Sequence, residues 1–285
     1  MYWKADWGYY WYQLPTETYA LMIEVFSEVA NDNESVDGLK TYLIKQKQTR
    51  DWGTTKGTAD AIYALLLKGD NWLASESLVE ITLGGQKIEP PKDVEAGTGY
   101  FKITYNEDKI SKDMGKVTLV KKDKGVSFGA LYWQYFENLD KITKAETPLK
   151  LNKKLFIENN TPSGKVIVPI DKQKIKIGDK IIVRIELRVD RDMEYVHMKD
   201  QRGSSLEPVN VLSQYKYRDG LGYYESTRDS ATNFFFDILP KGTYVFEYPL
   251  FVTHSGDFSN GITTIQCMYA PEFSSHSEGI RFKVE

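Results

Sequence analysis

The side chains best suited to chemistry are few: one cysteine, Cys267, and three histidines, His197, His254 and His276, in 285 residues. One cysteine builds neither an intrachain disulfide framework nor a cysteine-rich zinc site. The histidines sit in separate runs with no i, i+4 helical pair or other metal-ligand spacing, so no metal site and no cofactor is expected. There is no GxSxG elbow, no P-loop, and no GxGxxG opening a helix after a strand. Asp190, Asp192 and Glu194 stand close together. Paired carboxylates can run glycoside hydrolysis, but only when two of them face each other across a cleft. Near a strand junction, solvated turn residues are the better reading, so no catalytic residue is assigned. Cys267, between TTIQ and MYA, reads as a small apolar residue in a strand.

Composition narrows the classes further. Hydrophobic residues make up 41% of the chain and aromatics 13%, enough to build cores and too much for a disordered chain. A formal net charge of −3 supplies no basic field, which argues against nucleic acid as a partner. No apolar run approaches the roughly 20 residues of a membrane-spanning helix. The opening MYWKADWGYYWYQLP interleaves aromatics with charges and is not a secretory signal. The length suggests two or three domains.

These side chains need elements to carry them. Up to about Gly69 the period is helical. Tyr19, Met22, Ile23, Phe26, Val29 and Ala30 form one stripe, Val36, Leu39 and Leu43 a second, and Ala59, Ile62, Tyr63 and Leu66 a third. Thr16 after Pro15 is the expected N-cap of the first helix, with Glu17 near its positive end. Asn31 to Asn33 make a polar corner. From Lys45 to Leu67 one helix ends, Trp52 and Gly53 form a corner, and Thr54 or Thr55 caps the next helix. Such helices leave an incomplete layer, which the aromatics Tyr2, Trp3, Trp7, Tyr9, Tyr10, Trp11 and Tyr12 could cover.

From Asn71 to about Thr147 the runs LVEITLGG, GYFKITY, GKVTLVKK and VSFGALYWQYF read as strands, with a hairpin turn at Gly84 and Gly85. Residues 138–154 are polar and Lys-rich and read as a linker. From Leu155 onward about eight strands predict an antiparallel two-sheet sandwich. In IIVRIELRVD, Ile181, Val183, Ile185, Leu187 and Val189 alternate with more polar neighbours and mark one buried face. The runs joined by the turn Pro240 to Thr243 are the expected centre of the core. Tyr217 to Asp229 reads as a long polar, aromatic loop, functional or mobile.

Several of these runs carry a resemblance in family order. LPTETYALMIEVF and LKTYLIKQKQTRDWGTTKGTADAIYAL resemble the closing helices of the thioester domain of alpha-2-macroglobulins, an alpha/alpha toroid of helical hairpins. DMEYVHMKD with Leu206, Glu207 and Pro208, then DSATNFFFDILPKGTYVFEYPLFVTHSGDF and CMYAPEFSSHSEG, resemble the last macroglobulin-like domain of the bacterial members. The fold this implies is multidomain α and β, a short α/α-toroid fragment followed by antiparallel β-sandwich domains. Residues 1–70 would be the last toroid helices, 71–147 a CUB-type β segment with GALYWQYFE (Gly129 to Glu137) as its returning strand, and 148–285 the macroglobulin-like sandwich.

The resemblance also implies a function. It suggests the C-terminal fragment of a bacterial protease-trapping inhibitor, a docking and shielding module without catalysis, whose parent is periplasmic or anchored to the outer membrane. The expected partners are proteases, through the full-length parent, and the chain's own upstream domains. The family's thioester motif, CxEQ, needs a Gln three residues after the Cys. Cys267 is followed by Met268, Tyr269 and Ala270, so it is not that cysteine. In bacterial members a MYAPE loop shields the thioester region, and Met268, Tyr269, Ala270, Pro271 and Glu272 match it residue by residue. Desolvation is the physical logic, an apolar side chain keeping water from a reactive acyl group. The plain alternative is a strand end with a Pro-terminated turn. Tyr223 and Tyr224 are weaker candidates for the same contact surface. Two other readings stay open: a glycan-active enzyme built on a helical toroid, and a carbohydrate-binding or adhesion module suggested by the abundant aromatics.

Overall fold

In the computed structural model, residues 1–3, 12–68, 79–91, 100–122, 127 and 129–285 are described. They form two compact units, Met1–Leu43 with Trp52–Gly129, and Ile44–Asp51 with Ala130–Glu285.

The first unit opens with α1 (Pro15–Val25), which runs into a short π-turn over Phe26–Ala30 and stops at Asn31, whose φ of 54° suits an Asn. Asp32 caps the next helix: its Oδ1 accepts from the Ser35 amide at 3.1 Å. That helix is α2 (Asn33–Lys47), and after the corner at Gly53 (φ 80°) comes α3 (Thr55–Leu67). Thr54 is the N-cap of α3, its Oγ1 accepting from the Gly57 amide at 2.8 Å. Thr16 does not cap α1. Pro15 already occupies the first helical turn, and the Thr16 hydroxyl instead donates to the Trp52 carbonyl at 3.2 Å. Glu17 is buried and accepts from Thr54 Oγ1 at 2.8 Å.

Val36, Leu39 and Leu43 are buried as their spacing predicts, together with Tyr19, Ala20, Ile23, Ala61 and Ala64. On α3 the period holds but the buried face differs. Ala61 and Ala64 point inward, while Ile62, Tyr63 and Leu66 are 43–48% exposed. Small residues let helices approach closely, and the bulky face is left facing outward. Tyr2 stacks on Tyr42 with centroids 5.5 Å apart, and Trp3 on Phe26 at 6.3 Å, so the start of the chain does cover part of this layer. Trp7, Tyr9, Tyr10 and Trp11 lie outside the described residues.

β1 (Glu80–Leu83), β2 (Gln86–Ile88) and β3 (Val117–Val120) make a small antiparallel sheet in the order β2-β1-β3. Gly84 and Gly85, both at positive φ, form its two-residue turn. Two other expected strands are corrected. Within GYFKITY, residues 100–105 make no ladder, and neither do the described residues of VSFGALYWQYF, so Gly129 to Glu137 is not a returning strand. Aromatic and β-branched residues favour extended backbone, but a strand exists only where a second strand accepts its hydrogen bonds.

The second unit is the sandwich, and its strands follow in chain order. β4 (Leu149–Thr161), β5 (Gly164–Pro169), β6 (Lys180–Val189), β7 (Met193–Gln201) and β8 (Leu206–Pro208) come first. β9 (Gln214–Arg218), β10 (Leu221–Thr227), β11 (Ala231–Leu239) and β12 (Gly242–Val252) follow. β13 (Gly256–Asn260), β14 (Thr263–Cys267), β15 (Ala270–His276) and β16 (Ile280–Val284) close the chain. One sheet runs β5-β4-β6-β12-β8, the other β15-β14-β7-β11-β10-β9, and β13 pairs with β16.

The alternating residues of β6 are buried as expected, and β12 lies beside β6 in antiparallel register. Phe234, Phe236, Phe246 and Tyr223 interlock at the centre, with Tyr223 edge-on to Phe246 at 5.4 Å. Burial of each such ring or aliphatic side chain contributes about 1.5–3 kcal/mol.

Two expectations fail here. The linker reading of 138–154 is overturned, because β4 begins at Leu149 and both Leu149 and Leu151 are fully buried. Ala145 exchanges backbone hydrogen bonds with His276, so the residues before β4 are bound as well. The long loop at Tyr217 to Asp229 is instead the β9–β10 hairpin. Asp219 (φ 53°) and Gly220 (φ 79°) supply its tight turn, and Leu221, Tyr223 and Glu225 alternate inward. An Asp-Gly pair at a two-residue turn was the signal for this hairpin.

Candidate functional site

The turn between β14 and β15 carries Met268 and Tyr269. β14 delivers Cys267 to the inner face and β15 returns with Ala270 buried, so only the two turn residues project, Met268 55% and Tyr269 82% exposed. A register shift between Gln266 and Cys267 bends the hairpin at this point. Behind it stands Tyr195 on β7, with φ of 53°, a backbone state that costs a bulky residue about 1–3 kcal/mol. The Met268 amide donates to the Tyr195 carbonyl at 2.9 Å, and the Tyr195 and Tyr269 rings meet edge to face at 5.3 Å. Pro271 and Glu272 are exposed at the start of β15. The Cys267 thiol donates to the Glu194 carbonyl at 3.4 Å, and burial pushes its pKa up. That makes it a packing residue and not a nucleophile.

The acidic trio has a structural use. Asp192 accepts from Arg50 at 3.1 Å and from the Lys241 amide at 2.8 Å, and Glu194 accepts from the Asp51 amide at 3.2 Å. The Arg191 guanidinium beside Asp190 holds that carboxyl below its ordinary pKa. The Glu194 amide donates to the Thr49 carbonyl at 2.9 Å, so the trio helps tie segment Ile44–Asp51 to β7. Among the described residues no group of three or more His, Cys, Asp or Glu could hold a metal ion. His197 bonds Asn233 at 3.0 Å, His254 the Thr253 hydroxyl at 2.8 Å, and His276 the Ser277 carbonyl at 3.1 Å.

Tyr223 is only 8% exposed and belongs to the core, so it is withdrawn as a contact-surface residue, because the hairpin alternation turns it inward. Tyr224 points the other way and packs on Tyr215 at 4.9 Å.

Sequence reasoning missed a fully buried ion pair between the sheets. Lys153 Nζ of β4 lies 2.6 Å from Asp200 Oδ1 of β7 and also donates to the Gln201 and Gly261 carbonyls at 2.8 and 2.9 Å. Thr263 Oγ1 donates to Asp200 Oδ1 at 2.5 Å, and the Tyr248 hydroxyl donates to Oδ2. A signal was present: Lys153 follows Leu149 and Leu151 at inward spacing, and Asp200 follows Val196 and Met198, so each sits at a position reserved for an apolar side chain.

Residues 149–272 match the family model bMG10, Bacterial Alpha-2-macroglobulin MG10 domain. No curated protein matches the chain. Among solved structures, trypsin-activated alpha-2-macroglobulin from Escherichia coli is similar over 96% of this chain and 19% of that one, at 10% identity and TM-score 0.45. A mutant of Salmonella alpha-2-macroglobulin is similar over 98% of this chain and 18% of that one, at 14% identity and TM-score 0.39. The native E. coli protein from domain MG7 to the C-terminus is similar over 96% of this chain and 42% of that one, at 11% identity and TM-score 0.39. The chain therefore spans less than a fifth of the first two and under half of the third.

Proposed function

We propose, from the bMG10 match over residues 149–272, that the chain is the C-terminal part of a bacterial alpha-2-macroglobulin, and that it docks and shields without catalysis. In this reading residues 1–70 close an α/α toroid, 71–147 are a CUB-type segment and 148–285 the last macroglobulin-like domain. The parent traps proteases in the periplasm or at the outer membrane. Met268 and Tyr269, backed by Tyr195 and followed by Pro271, are the shielding contact, and Tyr224 extends that surface.

The observation that carries this reading is the Met268–Tyr269 turn, a large apolar and aromatic pair held out in solvent on a bonded hairpin. Other large apolar side chains are exposed on this chain too, but a pair placed over a reactive acyl group would exclude water from it. The exposed Ile62, Tyr63 and Leu66 face of α3 supports upstream helices as a partner.

Two measurements test the proposal. Trypsin and elastase incubated with an excess of this chain should keep their full activity, and strong inhibition by the chain alone would refute a purely docking role. In the full-length parent, Met268→Ala with Tyr269→Ala should speed reaction of the shielded group with a small amine. An unchanged rate in a parent that does carry a thioester would remove the shielding role.

A further inference from the structure

The outer face of the six-stranded sheet carries a row of rings of which the proposed shielding role uses Tyr224 alone. His197 lies directly opposite Phe235, Phe235 opposite Tyr224, and Tyr224 opposite Tyr215, so four strands each contribute one ring at the same level. The spacings are those of packed rings: 4.7 Å with 10° between planes for His197 and Phe235, 6.5 Å and 40° for Phe235 and Tyr224, and 4.9 Å and 58° for Tyr224 and Tyr215. His197 also bonds Asn233, two residues from Phe235 on β11, at 3.0 Å, which fixes the end of the row.

One step along the strands the pattern changes. Tyr217 pairs with Gly222, and continuing the β10–β11 register sets Gly222 opposite Asp237. Gly222 has no side chain, which leaves room beside Asp237 beneath the row of rings. The result is a groove of about 300 Å³ lined by Tyr215, Gly222, Tyr223, Tyr224, Phe235 and Asp237. Tyr215 is 79% and Phe235 43% exposed, so ring surface is available to a ligand. Asp237 has no hydrogen-bond or ion-pair partner among the described residues, and Lys216, two strands away on β9, is taken by Glu225 at 2.6 Å.

We propose that this groove binds a small quaternary ammonium ion, a trimethylammonium group of the choline or betaine class. Ring faces carry negative potential, and several rings around a carboxylate without a counter-ion attract a cation that is large and weakly hydrated. Rings tilted by 40° and 58° form a cup and not the flat platform that a sugar face stacks on. A quaternary ammonium has no N–H to satisfy, so an aromatic wall costs it no hydrogen bonds. The groove is larger than the head group itself, which leaves room for the short chain it is attached to.

The test is titration of the whole chain with tetramethylammonium and with choline, followed by tyrosine fluorescence and calorimetry. The neutral isostere of choline, carbon in place of nitrogen, and a chitin-type oligosaccharide serve as comparison arms. Saturable binding of both cations is expected, weakening as salt is raised. Asp237→Asn should lower the affinity by about 3- to 10-fold and Tyr224→Ala by more. Gly222→Leu fills the groove while leaving every ring and the carboxylate in the chain, and its Cβ would meet the Tyr217 ring at an ordinary 3.6 Å. That variant should keep its melting temperature and lose binding. The proposal is overturned if neither cation binds, if the neutral isostere binds as well as choline, if only the saccharide binds, or if Gly222→Leu stays folded and binds choline unchanged.

Discussion

Lys153 stands on β4 at a position where alternation demands an apolar side chain, and its burial lowers its pKa while Asp200 opposes that shift. Truncating one partner of such a pair leaves an uncompensated charge between the sheets, which costs about 3–5 kcal/mol. Lys153→Met should therefore move the urea midpoint down by an amount equivalent to that cost. A loss under 1 kcal/mol would show the pair to be dispensable. The tyrosines give a second handle at this scale. Burial, reinforced by Asp200, raises Tyr248 well above its ordinary value; burial also raises Tyr223 and Tyr244. A raised folded pKa means stability that is fully present below about pH 10 and is lost as pH rises through the ionisation. In a spectrophotometric alkaline titration these three should ionise late, Tyr248 only as the sandwich unfolds. Ionisation of all 19 tyrosines in one step near pH 10 with the fold intact would contradict their burial.

Among the elements, α3 illustrates how a cap and a face are separately decided. Thr54 holds the Gly57 amide at one end of its hydroxyl and the Glu17 carboxylate at the other, so it joins the start of α3 to α1. Thr54→Ala should cost about 1–2 kcal/mol, read as a drop in helical thermal stability, while Thr54→Ser should restore most of it. The cap was legible from residue type alone. The buried face was not, because Ala61 and Ala64 are weak hydrophobic signals beside Ile62 and Leu66, and only close packing against α1 selects the smaller residues. The β9–β10 hairpin shows the converse. Its Asp219–Gly220 turn was written in the sequence, but exposed tyrosines on both strands obscured the alternation that identifies strands.

For the whole molecule, the last of the three places where the chain passes from one unit to the other is residues 129–130. Residues 130–137 are exposed, make no ladder, and carry Leu131, Trp133, Tyr135 and Phe136 at 48–105% exposure. Limited digestion with chymotrypsin should cut there first and release a resistant fragment beginning near Asn138, identifiable by mass spectrometry. First cleavage within β4 to β16 would contradict the assignment of the sandwich as the stable core. The stability gradient follows from the two hydrophobic clusters, since that of the sandwich is far larger than that of the helical layer.

Local residue chemistry was enough to establish helices before strands, the α3 cap, the Gly84–Gly85 turn, the buried stripe of β6 and about eight of the thirteen strands from β4 to β16. Each is a matter of period, capping or turn preference, which a chain expresses without knowing its partners. Tertiary structure alone decided what depends on who lies opposite. It left residues 129–137 without a ladder and turned Tyr223 inward. It joined Lys153 to Asp200 across 47 positions of sequence and lined up four rings from four strands. Cross-strand register is a long-range property, so no local window of residues encodes it.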